Sequence, residues 1–168
     1  MPASPTRIAS IDQVAVVVRD LDAAMERSWS QHGIGPWDVY TYGPQRLSVM
    51  TFRGESRPYV MKLALAFVGD TMYELIESVE GPSIYDEHLA AHGEGLHHLG
   101  YYVADIDEAI AAMAARGYAL LQSGRGFGQD GDGAYAYFDT ASDLGCIMEA
   151  IEQPRQMPPP EQTYPPRP

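Results

Sequence analysis

The chain has 168 residues, 45% of them hydrophobic, a formal charge of −12 and a single cysteine. This length holds one compact domain or two small modules sharing a core. The acidic balance argues against general binding to nucleic acid, whose backbone must be met by Lys and Arg. No apolar run approaches the roughly 20 residues that span a bilayer, Met1–Arg7 lacks the apolar core of a secretory signal, and a lone Cys146 precludes an intrachain disulfide. No membrane association and a cytoplasmic location are therefore expected.

Residues 1–9 read as a loose arm. Ile11–Val18 is apolar and β-branched and predicts a strand. Asp20 is suited to cap a helix over Leu21–His32, in which Leu21, Met25 and Trp29 share one stripe, and Gly33 with Gly35-Pro36 ends it. Strands are expected at Trp37–Tyr42, Arg46–Phe52, Tyr59–Val68 and Thr71–Glu77, with turns at Gly43-Pro44 and Gly69-Asp70. Arg46, Arg53, Arg57 and Lys62 lie close together; solvated strand-edge charges are the plain reading and a local anion grip the sharper one. Ser83–Gly93 reads as a short helix within a linker over 82–95.

A strand then covers Leu96–Val103, Asp105 caps a helix reaching Arg116, and Gly117 stops it. Further strands are expected at Tyr118–Ser123, Ala134–Asp139 and Cys146–Glu152, with Cys146 as buried apolar filler rather than a nucleophile. Gly124–Gly133 is expected to be a flexible loop, a substrate cover or equally a plain mobile connection; it has neither the Lys-Ser/Thr ending of a phosphate loop nor dinucleotide spacing. Pro154, Pro158–Pro160, Pro165, Pro166 and Pro168 make the tail extended or disordered, with a free tail as the simplest expectation.

The chain repeats itself. Ile11–Met25 returns as Leu96–Ile110, with an offset of 85 residues between Gln13 and His98 and again between Asp20 and Asp105. Each copy ends alike, in Tyr73-Glu-Leu-Ile-Glu77 and Met148-Glu-Ala-Ile-Glu152. The repeat divides the chain into an arm (1–9), a first module (10–81), a linker (82–95), a second module (96–153) and a tail (154–168). Gln13, Glu74, His98 and Glu149 occupy matched positions on strands, and a pseudo-twofold would bring them together. Two buried carboxylates are costly unless a cation compensates them, so a divalent metal is expected. Alternation along a strand sends His97, Glu77 and Glu152 to the other face, as structural or solvated groups.

The paired strand–Asp–helix openings, Gly33-Ile-Gly-Pro-Trp37, Gly95-Leu-His-His98 and Phe138-Asp139…Gly145-Cys-Ile-Met-Glu149 resemble the vicinal oxygen chelate superfamily over residues 10–153. Within it the chain looks most like the methylmalonyl-CoA epimerase and glyoxalase I branch. The resemblance implies an α+β fold of two tandem βαβββ modules, curled as one mixed sheet around a metal cleft. It maps the metal ligands onto Gln13, Glu74, His98 and Glu149. Gln13 and Glu74 depart from the His and Gln usual in the epimerases and are similar to the ligands of eukaryotic-type glyoxalase I. Glu55 lies in the region of the epimerases' separate catalytic Glu.

One imidazole, one amide and two carboxylates suit a redox-silent Lewis acid (Zn, Co, Ni, Mn or Mg), whereas oxygen-activating iron uses two His and one carboxylate. The expected activity is therefore a metal-dependent epimerase or isomerase working through a metal-bound enolate, with Glu149 and Glu74 as the bases. The expected substrate is an acyl-CoA or another small chelating carbonyl compound. The alternatives are a glyoxalase I-like lyase on a thiol hemithioacetal, a metal-free small-molecule binding protein and, less favoured, a non-haem iron dioxygenase. Trp37, Tyr40, Tyr42, Tyr102, Tyr135 and Tyr137 would suit a bulkier aromatic ligand if they line the cleft, though core packing is their commoner use. A homodimer is expected, since curled sheets leave edges to cover.

Overall fold

The computed structural model describes residues 7–166; the first six residues of the arm and the last two of the tail lie outside the described residues. The first half comprises β1 (Gln13–Val18), α1 (Leu21–His32), β2 (Trp37–Tyr42), the short β3 (Val49–Phe52) and β4 (Glu55–Ser56), β5 (Val60–Val68) and β6 (Thr71–Glu80). α2 (Ile84–His92) leads into β7 (Gly95–Tyr102), α3 (Ile106–Ala114), β8 (Leu120–Phe127), β9 (Gly133–Phe138), α4 (Ala141–Leu144) and β10 (Ile147–Glu152), and β11 (Gln162–Tyr164) lies in the tail. All the strands join one curled, open mixed sheet in the order β11-β2-β5-β6-β1-β7-β10-β9-β8-β3-β4.

The repeat in the sequence is a repeat in the pairing. β1 runs parallel to β6, as β7 does to β10, and each parallel pair is bridged by a helix. β1 and β7 meet antiparallel at the centre, with Gln13 opposite Gly100 and Ala15 opposite His98. The helix starts are duplicated too. Asp20 accepts from Ala23 N and Asp105 from Glu108 N, each side chain satisfying a free helix donor. Glu77 accepts from Leu21 N at 2.7 Å and Glu152 from Ile106 N at 2.8 Å. The carboxylates expected to face away from the cleft thus have a structural use: each ties a helix start to the last strand of its own half.

α1 and α3 cover the outer face of the sheet. Leu21, Met25, Trp37, Val39 and Leu75 form one buried cluster there, and Tyr101, Ile106, Met113, Phe138 and Met148 another. The inner, concave face carries a third cluster that includes Tyr40, Tyr42, Met61, Leu63, Tyr135 and Tyr137. Trp37 therefore belongs beneath α1, not in the cleft.

Several expectations are corrected. The strand expected from Arg46 begins only at Val49, because the amides of Arg46 and Leu47 turn back to Gly43 O. Gly124–Phe127 are part of β8 rather than a mobile connection. Gly124 is small for packing: a Cβ there would lie 2.4 Å from the Tyr135 ring and hydroxyl. Cys146 is half-buried and sits just before β10. The tail is held, not free. β11 pairs antiparallel with β2, and Glu161 accepts from Thr41 N (3.0 Å), Thr41 Oγ1 (2.8 Å) and Arg46 (2.9 Å). The prolines keep this segment from the sheet interior, yet Gln162-Thr-Tyr164 suffices for an edge strand.

Besides the central β1–β7 pair, two pairings cross between the halves. β3 leaves the first half to pair with β8 of the second, and β11 follows the second half to pair with β2 of the first.

Candidate metal centre

The four matched side chains lie on four neighbouring strands, β6, β1, β7 and β10. Parallel pairing sets Glu74 beside Ala15 and Glu149 beside Gly100, and the β1–β7 ladder sets those small residues beside His98 and Gln13. All four are buried: His98 at 0% exposure, Gln13 and Glu149 at 4%, Glu74 at 6%. His98 Nε2 lies 3.0 Å from Glu149 Oε2, 3.3 Å from Gln13 Oε1 and 3.4 Å from Glu74 Oε2. Ligand atoms of Glu74, His98 and Glu149 fall within 4.8 Å of one another.

A proton cannot satisfy this arrangement. A single imidazole N–H has one hydrogen to offer, and three oxygens surround it. Neither Glu74 Oε2 nor Glu149 Oε2 receives a well-aligned hydrogen bond, although both are buried. The Gln13 amide turns its nitrogen away to Met72 Sδ at 3.6 Å, leaving its oxygen for the centre. Buried acceptors converging on one point fit a divalent cation with mixed oxygen and nitrogen ligands. The carboxylates draw positive charge to this point. Burial lowers the His98 pKa, but the Glu149 and Glu74 carboxylates outweigh burial and bring it to about 9. Burial raises the Glu74 carboxyl; the His98 imidazole opposes this and the Glu149 charge adds to it.

His97 is not where alternation placed it. The β1–β7 register shifts between Ala15 and Val16, so β7 carries a bulge and His97 and His98 are both buried. His97 Nδ1 lies 2.8 Å from His98 Nδ1, and the ring packs among Tyr85 and His88. Burial first, then the His98 and His88 charges, push His97 down to about 2, so it is neutral. When His98 carries its proton on Nδ1, His97 Nδ1 is placed to accept it and so to hold Nε2 toward the centre, a placement that strand alternation hid.

The site opens into a cavity of about 490 Å³, with Gln13, Glu74 and Glu149 in its wall beside Tyr42, Tyr102 and Tyr137. Glu55 is exposed in β4 and lies outside this wall. The basic stretch is also elsewhere engaged: Arg46 pairs with Glu161, Arg53 with Glu87 at 2.6 Å and Lys62 with Asp22 at 3.8 Å. Among the described residues no helix is long and apolar enough to cross a membrane.

Residues 12–138 match the family model described as the glyoxalase/bleomycin resistance protein/dioxygenase superfamily. No curated protein matches the chain. Among solved structures, a variant of the Streptomyces coelicolor methylmalonyl-CoA epimerase in complex with 2-nitronate-propionyl-CoA is similar at 20% identity and a TM-score of 0.65, over 88% of this chain and 99% of that one. The Mycobacterium tuberculosis methylmalonyl-CoA epimerase is similar at 18% identity and a TM-score of 0.64, over 94% and 93%. A selenomethionine-labelled methylmalonyl-CoA epimerase is similar at 24% identity and a TM-score of 0.58, over 86% and 95%.

Proposed function

This chain belongs to the glyoxalase/bleomycin resistance protein/dioxygenase superfamily, and from that premise we propose that it is a divalent-metal-dependent isomerase or epimerase that moves a proton on a carbon next to a carbonyl. The observation that carries this reading is the convergence of Glu149, Gln13 and Glu74 oxygens within 3.0–3.4 Å of His98 Nε2. An ion held by these four residues supplies Lewis-acid stabilisation of the negative charge that develops on the carbonyl oxygen.

The remaining work falls to the chain. Glu74 and Glu149 approach the centre from opposite sides, on β6 and β10, and both line the cavity. One carboxylate, released transiently from its place at the ion, takes the proton from the carbon beside the carbonyl; that C–H pair of electrons moves into the enolate. The other carboxylate, or the same one, returns a proton to that carbon, so no net charge or atom is lost. Return from the opposite side inverts the centre. The Tyr137 ring, 4.9 Å from the His98 ring, and the apolar cavity wall keep water from competing for the enolate. The similar solved structures include epimerases holding acyl-CoA compounds, which supports the epimerase reading. A second reading, isomerisation of a thiol hemithioacetal, uses the same residues and is favoured by the amide at Gln13 and the carboxylate at Glu74.

Metal content by plasma mass spectrometry, on protein purified without chelator, tests the proposal together with His98→Ala. The expected result is about one divalent ion per chain, lost in the variant, with solvent-deuterium incorporation reduced in Glu149→Gln and Glu74→Gln. Failure to bind Zn, Co, Ni, Mn or Mg on reconstitution would overturn it in favour of a metal-free binding module. Full turnover in both Gln variants would remove the assignment of the bases.

A further inference from the structure

The cavity wall is chemically one-sided. Its volume of about 490 Å³ suits a drug-sized ligand. Its surface includes Tyr40, Tyr42, Leu63, Phe127, Tyr135 and Met157, and among the described residues no lysine or arginine lines it. The tyrosines offer carbon more than oxygen. Tyr135 Oη lies 2.6 Å from Tyr59 Oη, and Tyr137 Oη lies 2.8 Å from Tyr85 Oη, so both hydroxyls are engaged behind the rings. Burial raises both well above the usual phenol range, so they stay uncharged.

The tail completes this wall. Pro154 and Met157 line the cavity, Pro158 O accepts from Tyr40 Oη at 3.4 Å, and Gln156 O accepts from Gln129 N at 2.8 Å. Among the described residues the tail's cation, Arg155, points elsewhere, with its Nε 2.8 Å from Asp132. An adjoining cavity of about 300 Å³ shares Tyr42 and Phe127, and its only cation is Arg46, paired with Glu161 at 2.9 Å. Phosphate groups are met by Arg, Lys or backbone donors at helix starts. A coenzyme A thioester brings several phosphates, and among the described residues the walls of these two cavities set against them one engaged arginine, on a molecule of net charge −12.

Resting on the enolate reading above, we infer that the substrate is an uncharged aromatic or polyketide-like carbonyl compound with two neighbouring oxygens, and not a coenzyme A thioester. The two oxygens meet the metal centre and the ring system fills the tyrosine-walled cavity.

The test uses the full chain loaded with zinc, and three probes: α-hydroxypropiophenone, methylmalonyl-CoA and the phosphate-free methylmalonyl thioester of N-acetylcysteamine. Calorimetric titration is expected to give at least tenfold tighter binding of the aromatic ketone than of methylmalonyl-CoA. Leu63→Trp and, on the tail, Met157→Trp fill the cavity; each is expected to weaken ketone binding at least tenfold while the zinc content stays unchanged. Methylmalonyl-CoA binding as tightly as the ketone, or more tightly than its phosphate-free counterpart, would overturn the inference, as would unaltered ketone binding in both Trp variants. Deuterium uptake at the carbon beside the carbonyl separates the two levels. Tight ketone binding without catalysed uptake from any probe keeps the substrate class and sinks the enolate reading. Catalysed uptake confined to methylmalonyl-CoA does the reverse.

Discussion

Gly100→Ala adds one methyl group where the two halves meet, and its consequences can be worked out from the atoms around it. The new Cβ would lie 2.7 Å from Gln13 Oε1, 2.9 Å from Gln13 Cβ and 2.9 Å from Ile151 Cδ1. Carbon atoms rest at about 3.5–4.0 Å, so each neighbour must move by roughly 0.6–1 Å. Ile151 can turn the end of its side chain aside. Rotating the Gln13 amide away from the centre relieves the contact to Oε1, whereas Gln13 Cβ is fixed to β1 and is relieved only by a small parting of β1 from β7. The Gly100 backbone is not left-handed and accepts alanine without strain of its own. Overpacking of this kind costs about 1–3 kcal/mol, a fall of about 2–12 °C in melting temperature for a chain of this size. The displaced ligand oxygen is expected to weaken zinc binding about 10–100-fold. Competition titration against a chelator measures the affinity, with Gln13→Ala as the comparator. Because both changes act through one side chain, Gln13→Ala/Gly100→Ala is expected to bind zinc no more weakly than Gln13→Ala alone. Zinc affinity equal to that of the unmodified chain in Gly100→Ala, or losses that add in the double variant, would refute the reasoning.

Three other outcomes are expected. His97→Leu removes the acceptor for His98 Nδ1 at 2.8 Å and should lower zinc affinity about 10–100-fold, read by the same titration with the fold checked by circular dichroism. Zinc at a hundred times its dissociation constant should stabilise the chain by about 2.7 kcal/mol, a rise of roughly 5–11 °C by calorimetry that His98→Ala abolishes. Glu161→Ala removes the acceptor shared by Thr41 and Arg46 and should cost about 0.5–1.5 kcal/mol, since these bonds are exposed; hydrogen exchange should speed up at Gln162–Tyr164 while the amides of β1 and β7 stay protected.

The four converging positions were legible in the sequence because duplication supplied an internal alignment. A lone strand glutamate says little, but Glu74 and Glu149 at matched places, with Gln13 and His98 at an offset of 85, say much more. Both Asp caps were legible for the same reason. His97 was not, because reading a strand by alternation assumes an unbroken ladder, and the bulge in β7 breaks it. β11 was hidden by the prolines around a three-residue strand whose partner is β2, more than a hundred residues earlier. Gly124 and Gly126 read as flexibility because glycine is ambiguous: it serves motion and close packing alike, and here Tyr135 and Ser48 fill the space. The cavity wall was half legible. Tyr40, Tyr42, Tyr102, Tyr135 and Tyr137 face it while Trp37 does not, and the committed hydroxyls of Tyr135 and Tyr137 depend on Tyr85 and Tyr59, which no local pattern singles out.

The crossing of β3 to β8 and of β11 to β2 bears on the history of such a chain as much as on its stability. A duplicated gene yields two units that can in principle be parted again, each keeping its own strands. Here each half has lent the other an outer strand, so cutting between the modules would strip β8 of β3 or β2 of β11 and lay bare backbone donors and acceptors on both fragments. The exchange covers β2 and β8 and leaves the short β11 and β4 as the ends of the open sheet. Once such lacing is in place, recombination that shuffles single modules yields products with open edges, and the two halves can only be inherited together.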